Sequence, residues 1–512
     1  MPQPGLWNIA RDRPGLLAVI DPGGREVSYG ELAGLADRYG RGLQQLGLRA
    51  GDCVVVLLPN TIELLALYFA ALESGLYIVP VNWHLTGPEI GYIVEDSEAK
   101  AFVGHERFGE AATIAAAGLP ASARFAIGDV PGFRPLAELE AAGGRPDDRT
   151  QGAPMVYTSG TTGRPKGVKR PLTGADPDEV PLAASGFFAM FRIQPFDGNV
   201  HLCGSPLYHT AVLNFAGISL QLGHPVVLMD RFDAEQMLRL IERHRVTHSH
   251  MVPAQFIRLL ALPADVRASY DVSSLRTMIH GAAPCPNEVK QAMLDWWGPV
   301  VVEYYAATEG GGTTIFAEEW LKKPGSVGKA WSYSVVKILD ERGAELPPNE
   351  QGLVYLQMGG SNFAYHKSEQ KTRESRVGDL FTVGDIGYLD EDGYLFLCDR
   401  KSDMIISGGV NVYPAEIEGE LVMHPAVADV AVFGVPDEEW GEAIKAVIQP
   451  APGVVPSESL TDEIRAFAAE RLAKYKLPKL VEYLDELPRD DNGKLYKRKL
   501  RDAEWAGRAK AI

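Results

Sequence analysis

Apolar and polar positions in the first third of the chain alternate between a helical and a strand-like period. Helical spacing over 28–47 begins with Ser28, which can cap the helix because Glu31 follows three residues later. Loops rich in Gly, Pro and Asp interrupt the pattern at 143–154 and 170–181. The apolar runs after the first helix predict a buried strand, an apolar helix and a second strand at 53–59, 62–75 and 77–81. This alternation predicts parallel sheets covered by helices.

The pattern changes near Gly352, where short strands and turns replace the longer helices. An Asp-Gly pair at 392–393 is typical of a hairpin turn. After Arg400, roughly a hundred residues carry helices and strands of their own, which is the size of a small domain. We therefore expect an N-terminal domain over 1–400 and a C-terminal domain over 401–512.

Composition and charge restrict the class of protein. The chain has 512 residues, more than one hydrophobic core can organise, so several packed subdomains are expected. A net charge of −17 argues against nucleic acid or an anionic membrane surface as the main partner, and leaves room for a local basic channel. The four cysteines form no CxxC pair, so neither a zinc site nor a disulfide framework is indicated. The N-terminus lacks a signal-peptide pattern, and no apolar stretch reaches the roughly 18 residues of a membrane span. We expect a soluble cytoplasmic enzyme.

The strongest chemical signal is the segment 157–168, which reads YTSGTTGRPKGV. Its three glycines let backbone N–H groups turn toward an anion, its four hydroxyls add donors, and Lys166 adds a positive charge. The spacing differs from GxxxxGK[ST], the loop of the common nucleotide hydrolases. We interpret the segment as a phosphate cradle rather than a flexible surface loop. The cradle residues would be Thr158, Ser159, Gly160, Thr161, Thr162, Gly163 and Lys166.

The cradle resembles the signature loop of the acyl-adenylate-forming enzymes, which include acyl-CoA synthetases, luciferases and peptide-synthetase adenylation domains. Six further segments resemble motifs of that superfamily in the expected order: PLYH at 206–209, GAAP at 281–284, YAATE at 305–309, TVGD at 382–385, DRKSDMIISGGVNVYP at 399–414 and PRDDNGK at 488–494. The chain is most similar to the bacterial fatty-acyl and acyl-CoA synthetases. The resemblance implies an α/β fold. A large N-terminal domain of layered parallel-sheet α/β subdomains plus a small β-barrel-like subdomain would carry a small mobile C-terminal α+β domain.

The resemblance implies an ATP site with Mg²⁺. Glu309, together with Thr158, would hold this hard cation, which prefers oxygen ligands beside phosphate. Thr308 would hydrogen-bond the α-phosphate. Lys494 would bridge the phosphate and the substrate carboxylate, the alternative being an ordinary surface lysine in the basic stretch 497–501.

The nucleoside half of the ATP site is implied by three other motifs. Tyr305 would lie against the adenine ring. Asp385 would accept hydrogen bonds from both ribose hydroxyls, which an ionised carboxylate does well, and Arg400 would donate from the other side. The adenine-contacting turn would consist of Gly281, Ala282 and Ala283.

The acyl site is expected beside His209, which would border the substrate carboxylate. On its own this residue would be a core histidine, and as a general base it would be weak because the acid is already ionised at neutral pH. Small residues nearby favour a bulky or medium-to-long apolar acid over acetate, the alternative being close packing against helices. The substrate-binding residues would be His209, Val212, Met251, Gly281, Tyr304, Ala306 and Gly310, with further walls from Phe256 and Ile279.

The resemblance also implies that the C-terminal domain rotates about a hinge near 400–402 between the two half-reactions. Leu477 and His84 stand where some relatives carry basic residues, and Ala306 stands where glycine is usual. Expected contacts of coenzyme A are Gly408 and Gly409, which would line the thiol tunnel, and Trp440 and Lys479, which would touch its nucleotide.

Taken together, these residues predict an acid–thiol ligase that uses ATP, Mg²⁺ and coenzyme A. Two alternatives stay open: an adenylate-forming enzyme with a carrier-protein or other acceptor, and a non-catalytic nucleotide-binding scaffold. No carrier domain follows Ile512, which disfavours the first, and the presence of Glu309, Asp385 and Lys494 disfavours the second. No nucleic-acid partner is expected, and a homodimer is left open.

Overall fold

The computed structural model describes residues 3–158, 165–307, 309–359, 363–407, 410–437, 440–489 and 495–506. Helices in these ranges are α1 Leu6–Asp12, α2 Tyr29–Gln45, α3 Ile62–Glu73, α4 Gly87–Asp96, α5 Gly109–Ala115, α6 Val180–Ala189, α7 Thr210–Gln221, α8 Ala234–His244, α9 Pro253–Leu260, α10 Ala264–Ala268, α11 Asn287–Trp297, α12 Ala317–Trp320, α13 Glu369–Glu374, α14 Pro414–Leu421, α15 Glu458–Ala469 and α16 Lys497–Glu504.

Strands in the same ranges are β1 Leu17–Ile20, β2 Glu26–Ser28, β3 Cys53–Val56, β4 Tyr77–Pro80, β5 Ala101–His105, β6 Arg124–Ile127, β7 Arg134–Pro135, β8 Ala153–Pro154, β9 Val156–Thr158, β10 Lys166–Lys169, β11 His201–Cys203, β12 Val226–Leu228, β13 His248–Met251, β14 Thr277–His280, β15 Val301–Ala306, β16 Gly312–Phe316, β17 Ser326–Ala330, β18 Ser334–Leu339, β19 Gly352–Met358, β20 Ala364–Tyr365, β21 Arg376–Val377, β22 Leu380–Phe381, β23 Asp385–Leu389, β24 Leu395–Arg400, β25 Ile405–Ser407, β26 Val410–Val412, β27 Val427–Asp437, β28 Gly441–Pro450 and β29 Leu480–Tyr483.

The local sequence explains helices α2 and α3, both of which were predicted. The Ser28 hydroxyl accepts from the Glu31 N–H, and the Glu31 carboxylate accepts from the Ser28 N–H, which closes a capping box at the start of α2. Helix α3 is apolar on all sides and almost every residue of it is buried, as expected for a helix that packs between two sheets. The predicted loop at 170–181 ends earlier than expected, because α6 begins at Val180.

Two sheets of the N-terminal domain contain the predicted parallel strands. One has six parallel strands in the order β7-β6-β5-β3-β4-β8. In the other, β1, β12, β11, β13, β14 and β15 are parallel neighbours. Helices α2, α3 and α7 are buried between these sheets in one shared apolar core. The α/β fold class is confirmed.

The same large sheet continues into antiparallel strands. From β15 the order runs β16-β17-β24-β23-β19-β22-β21, with β18 paired to β19. These strands surround a separate apolar cluster that includes Val354, Leu356 and Leu395. The predicted turn at 392–393 joins β23 to β24, with Gly393 at a φ of 80°.

The chain beyond Arg400 forms its own α+β unit. Its sheet has the order β26-β25-β28-β27, and β29 adds to β28 in parallel. Helices α14 and α15 contribute Ile417, Leu421 and Ile464 to its core. Within the described ranges, no helix is both long and apolar enough to cross a membrane.

Candidate active site

The predicted ATP and acyl residues gather at the carboxyl edge of the parallel strands. His209 follows β11, Gly281 follows β14, and Tyr305 and Glu309 lie at or just past the end of β15. In open α/β sheets this edge is where ligands bind, because adjacent strand ends and helix starts leave a crevice there.

Strands β9 and β10 hold the two ends of the phosphate cradle. They pair antiparallel, with Thr158 opposite Lys166 and Tyr157 opposite Gly167. Lys166 Nζ donates to Ser368 Oγ over 3.2 Å. The structure does not describe the other predicted phosphate-binding groups, so these predictions lie outside the described residues: the Thr158 side chain, Ser159, Gly160, Thr161, Thr162, Gly163 and Thr308.

A tyrosine that the sequence did not reveal links this hairpin to Glu309. Strand β20 pairs with β10, which places Tyr365 opposite Val168. Tyr365 Oη donates to Glu309 Oε1 over 2.6 Å. Burial and the neighbouring carboxylate raise the pKa of Tyr365, so the phenol keeps its proton and acts as a donor. The Glu309 carboxylate is buried and therefore held in one orientation.

The oxygen chemistry around Glu309 fits Mg²⁺ that arrives with a nucleotide. Mg²⁺ usually binds through one or two carboxylates together with substrate phosphates, and it keeps several waters. Across the described parts of the chain, no group of three or more His, Cys, Asp or Glu side chains could form an all-protein metal site. Glu309 beside the phosphate cradle supplies a single carboxylate, which suits a metal shared with phosphate.

Three predicted nucleoside residues are in contact. Asp385 and Arg400 are opposite each other on β23 and β24, and Arg400 Nε lies 3.4 Å from Asp385 Oδ1. Tyr305 Oη donates to Asp385 Oδ2 over 2.6 Å. Burial and Asp385 raise the pKa of Tyr305, so its ring remains neutral. An ionised carboxylate has about four acceptor positions, so Asp385 can still accept hydrogen bonds from a ribose.

The predicted adenine turn is backed directly by β15. Ala282 has a φ of 68°, a conformation that side chains other than glycine rarely adopt and that the surrounding structure must support. A Cβ on Gly281 would lie 2.7 Å from the Tyr304 carbonyl oxygen, so only glycine fits there.

A buried ion pair supports the same turn from behind and was not predicted. Lys290 Nζ on α11 lies 2.6 Å from Glu303 Oε2 on β15, and His280 Nε2 lies 3.8 Å from the same oxygen. The two charged side chains are only 1% and 8% exposed. Burial raises the pKa of Glu303 and Lys290 opposes that rise. Glu303 directly precedes Tyr304, so the pair ties α11 to the strand that backs the turn.

Four of the predicted acyl residues lie at the start of α7 and at or just after the end of β15. His209 is at the N-cap position of that helix, and Val212 is buried in its first turn. Ala306 pairs with Gly312 across β15 and β16, and Gly310 has a φ of 130° that favours glycine.

Three predicted walls of the acyl site belong to two different apolar clusters. Met251 and Phe256 pack in the cluster formed with α8 and α11. Ile279 packs instead with Tyr304 in an aromatic cluster beside α6 and α7. The Gly281 N–H donates to the Met251 carbonyl oxygen over 3.4 Å, so the backbone of Met251 lies beside the turn, and the roles of Met251 and Phe256 as acyl-site walls stay predictions.

The two predicted CoA-nucleotide residues are adjacent in the C-terminal domain. Lys479 Nζ lies 4.8 Å from the centre of the Trp440 ring, and the Trp440 side chain is exposed. Ser407 pairs with Gly441, which places the end of β25 beside Trp440. The predictions on Gly408 and Gly409 lie outside the described residues, and they follow Ser407 directly in the chain.

The prediction on Lys494 also lies outside the described residues, but both sides of its segment are fixed. Arg489 and Leu495 form an antiparallel bridge, and Arg489 Nη2 donates to Asp429 Oδ1 over 2.7 Å. Helix α16 follows, and its Lys497 Nζ lies 2.8 Å from Glu418 Oε1 in a pair whose side chains are 13% and 20% exposed. The stretch that we considered as a basic tail is therefore a packed helix.

The structure joins Asp385 to Tyr305 and Glu309 to Tyr365, and it has a separate C-terminal α+β unit. This arrangement agrees with the class expected from the sequence, the ATP-dependent, acid-activating ligases. The AMP-binding enzyme model matches residues 6–363, and the AMP-binding enzyme C-terminal domain model matches residues 416–494. The chain belongs to this family of AMP-binding enzymes.

Its relatives differ in substrate and acceptor. The chain is 33% identical to the fatty acid–[acyl-carrier-protein] ligase ScoC of Streptomyces coeruleorubidus, over 96% of this chain and 94% of that protein. It is 34% identical to a feruloyl-CoA synthase of an Amycolatopsis species, over 97% and 98% of the two chains. A solved structure of o-succinylbenzoate CoA synthetase (MenE) from Bacillus subtilis, in complex with the acyl-adenylate intermediate, is 30% identical. It aligns with a TM-score of 0.81 over 98% of both chains.

Proposed function

We propose that the protein is an AMP-forming acid–CoA ligase that uses Mg²⁺-ATP. The contact of Tyr305 with Asp385, which lies beside Arg400, carries this proposal, because an aromatic ring next to a carboxylate and a guanidinium would suit the adenine and ribose of ATP. In the first half-reaction, a carboxylate oxygen of the acid attacks the α-phosphate, pyrophosphate leaves, and an acyl-AMP forms. In the second, the thiol of CoA attacks the acyl carbonyl, and AMP leaves.

The chain's own residues act in the first half-reaction mainly by positioning. Asp385 and Tyr305 would hold the nucleoside, and Lys166 would neutralise phosphate charge from the base of the hairpin. Glu309, oriented by Tyr365, would hold Mg²⁺, which supplies charge neutralisation at the phosphates when bound. Lys494 would bring the substrate carboxylate and the phosphate together, two anions that otherwise repel each other.

Coenzyme A is the proposed acceptor because Trp440 and Lys479 form a cationic and aromatic pair at one surface of the C-terminal domain. A stacked ring and an ammonium group suit a nucleotide with phosphates. For the second half-reaction we propose rotation of the domain over 401–512 about the segment 400–402, which would bring this pair toward the acyl-AMP. The proposed acid is bulky or medium-to-long and largely apolar.

The test measures pyrophosphate release with a library of carboxylic acids, and then thioester formation with CoA or with a carrier protein. We expect release that depends on both ATP and acid, and faster consumption of acyl-AMP with CoA. Lys479→Ala should raise the KM for CoA while leaving pyrophosphate release unchanged. No release with any acid would overturn the activity, and a carrier protein that outcompetes CoA would overturn the acceptor.

A further inference from the structure

An aromatic cluster begins where the expected acyl site begins. A Cβ on Gly281 would lie 2.9 Å from Tyr304 Cε1, so the Tyr304 ring edge borders the turn directly. A Cβ on Gly312 would lie 2.9 Å from both Ala306 Cβ and Trp331 Cη2, so the Trp331 ring lies beside Ala306. The rings of this cluster come from Phe187, Phe188, Phe191, Phe215, Tyr304 and Trp331.

One polar pair lies inside this aromatic surface. His250 Nε2 on β13 is 2.8 Å from Tyr304 Oη on β15, and the two residues are only 3% and 8% exposed. The His250 ring lies 4.9 Å from that of Phe215, and the Tyr304 ring lies 5.9 Å from that of Phe191. Other polar groups also touch the cluster, since Trp331 Nε1 donates to Thr314 Oγ1 over 2.7 Å and the His248 ring lies 6.1 Å from that of Phe188.

The pair has hydrogen-bonding capacity left over. Burial lowers the pKa of His250 to about 4 and raises that of Tyr304, so both groups are neutral at physiological pH. A neutral imidazole has one donor and one acceptor nitrogen. If Tyr304 donates to Nε2, the Nδ1–H of His250 remains as a donor. If Nε2 donates instead, the Tyr304 hydroxyl hydrogen remains.

In the described part of the chain, His250 Nδ1 is buried and has no hydrogen-bond partner. Buried polar groups are nearly always paired, so an unpaired one next to a binding site points to a partner in the ligand. A hydroxyl group is the substituent that suits either tautomer, because it both donates and accepts.

We propose that the His250–Tyr304 pair is a specificity determinant that selects a compact aromatic acid bearing a ring hydroxyl. This inference rests on the proposed ligase function and narrows its substrate class. The Trp331 ring beside Ala306 and the Tyr304 ring beside Gly281 would both favour an aryl group, since aromatic pairs gain from edge and offset contacts. The buried rings of Phe191 and Phe215 close the space behind the pair, which disfavours a long alkyl chain in that direction.

The experiment compares matched acids on the full-length enzyme with Mg²⁺-ATP and CoA, following AMP formation. The pairs are 4-hydroxybenzoate with benzoate, and 4-hydroxycinnamate with cinnamate, and octanoate and decanoate represent alkyl acids. We expect the hydroxylated member of a pair to have a kcat/KM higher by on the order of tenfold or more, because the acid lacking the hydroxyl leaves buried polar atoms unpaired.

Two variants test whether the preference for the hydroxylated acid depends on the His250–Tyr304 pair. Tyr304→Phe should reduce the hydroxyl preference, the ratio of the two kcat/KM values in a pair, to about one. His250→Gln, which keeps a polar atom toward Tyr304, is the second variant and should also reduce the preference. Tyr29→Phe is the matched control, because it removes another buried tyrosine hydroxyl, which donates to the Leu220 carbonyl oxygen over 2.7 Å. It should leave the preference unchanged.

The outcomes separate the inference from the function on which it rests. If acids are activated but Tyr304→Phe and His250→Gln retain the wild-type preference, the specificity role is overturned. The same conclusion follows if decanoate exceeds every aromatic acid tenfold in kcat/KM. If no acid supports AMP formation in the wild type, the ligase function itself fails and the inference falls with it.

Discussion

Replacing Lys290 by methionine removes the cation of the buried ion pair behind the nucleoside site. Lys290 Nζ and Glu303 Oε2 are 2.6 Å apart, and neither side chain has access to much water. His280 is not expected to take over the charge, because its burial, the main cause of its pKa lying well below the ordinary value, is unchanged in the variant. The variant therefore leaves Glu303 buried without a cation.

The expected cost is large for a single substitution. Removing one partner of a buried ion pair costs about 3–5 kcal/mol, because the remaining charge is not compensated. For a large domain, in which about 1 kcal/mol shifts Tm by roughly 2 °C, this corresponds to a decrease in Tm on the order of 5–10 °C. A simultaneous Glu303→Leu substitution should recover much of that loss, since an apolar pair of similar volume carries no desolvation penalty.

The loss of stability in Lys290→Met should also depend on pH. Burial already raises the pKa of Glu303, and removing Lys290 raises it further. A carboxyl group whose folded pKa lies above its unfolded value contributes stability that is present below the unfolded pKa and is lost as pH rises through the folded pKa. Lys290→Met should therefore be more destabilised at pH 8 than at pH 6, by up to about 1.4 kcal/mol per pH unit within that window.

The measurement is the thermal unfolding of four proteins at pH 6 and pH 8: wild type, Lys290→Met, Glu303→Gln and the double variant Lys290→Met/Glu303→Leu. The KM for ATP is measured at 20 °C. We expect the KM for ATP to rise in both single variants, because β15, which carries Tyr305 and backs the turn at Gly281, loses its tie to α11. The reasoning is refuted if Lys290→Met unfolds within 1–2 °C of wild type at both pH values, or if the double variant is less stable than either single variant.

Further variants test the remaining roles. Glu309→Gln should slow adenylation and weaken its Mg²⁺ dependence without unfolding the protein, and an unchanged dependence would contradict the metal role. Tyr365→Phe should raise the Mg²⁺ concentration at half-maximal rate, since Glu309 loses the hydroxyl that orients it, and circular dichroism provides the folding control. Lys494→Ala should lose acyl-AMP formation by on the order of 10²–10³-fold yet convert presynthesised acyl-AMP normally, whereas equal loss in both steps would refute confinement to adenylation. Ser402→Pro should form acyl-AMP but little thioester, and full thioester turnover would exclude Ser402 as the pivot.

The fold class could be predicted because its signals are local. The capping box at Ser28 and the apolar helix at 62–75 are readable from neighbouring residues, and the structure has both elements where they were expected. Helix α6 was missed, because its apolar residues, including Phe187 and Phe188, lie all around the helix without an amphipathic period, directly after a loop rich in Pro and Asp.

The nucleotide-site residues could be predicted from motifs, but the groups that support them could not. Tyr365 lies 56 residues from Glu309 in the chain and reaches it only because β20 pairs with β10. One feature of the sequence pointed to His250, a run of three polar residues, His-Ser-His, in a strand that is entirely buried. Nothing in that run identifies Tyr304 as its partner, since the contact depends on the packing of β13, β14 and β15 in one sheet.

Helix α16 connects the two moving parts of the proposed mechanism. Its first residue, Lys497, is fixed to Glu418, only three residues after Lys494 in the chain. Near its other end, Arg501 Nη1 donates to the Ser402 carbonyl oxygen over 3.1 Å, at the proposed hinge. A rotation about Ser402 must therefore either break the Arg501 contact or move it with the domain. In both cases the segment with Lys494 turns as part of the C-terminal unit, because Arg489 and Lys497 anchor both of its ends. The proposed rotation would thus remove Lys494 from the acyl-AMP before the thiol attacks, in agreement with the prediction that Lys494→Ala affects adenylation alone.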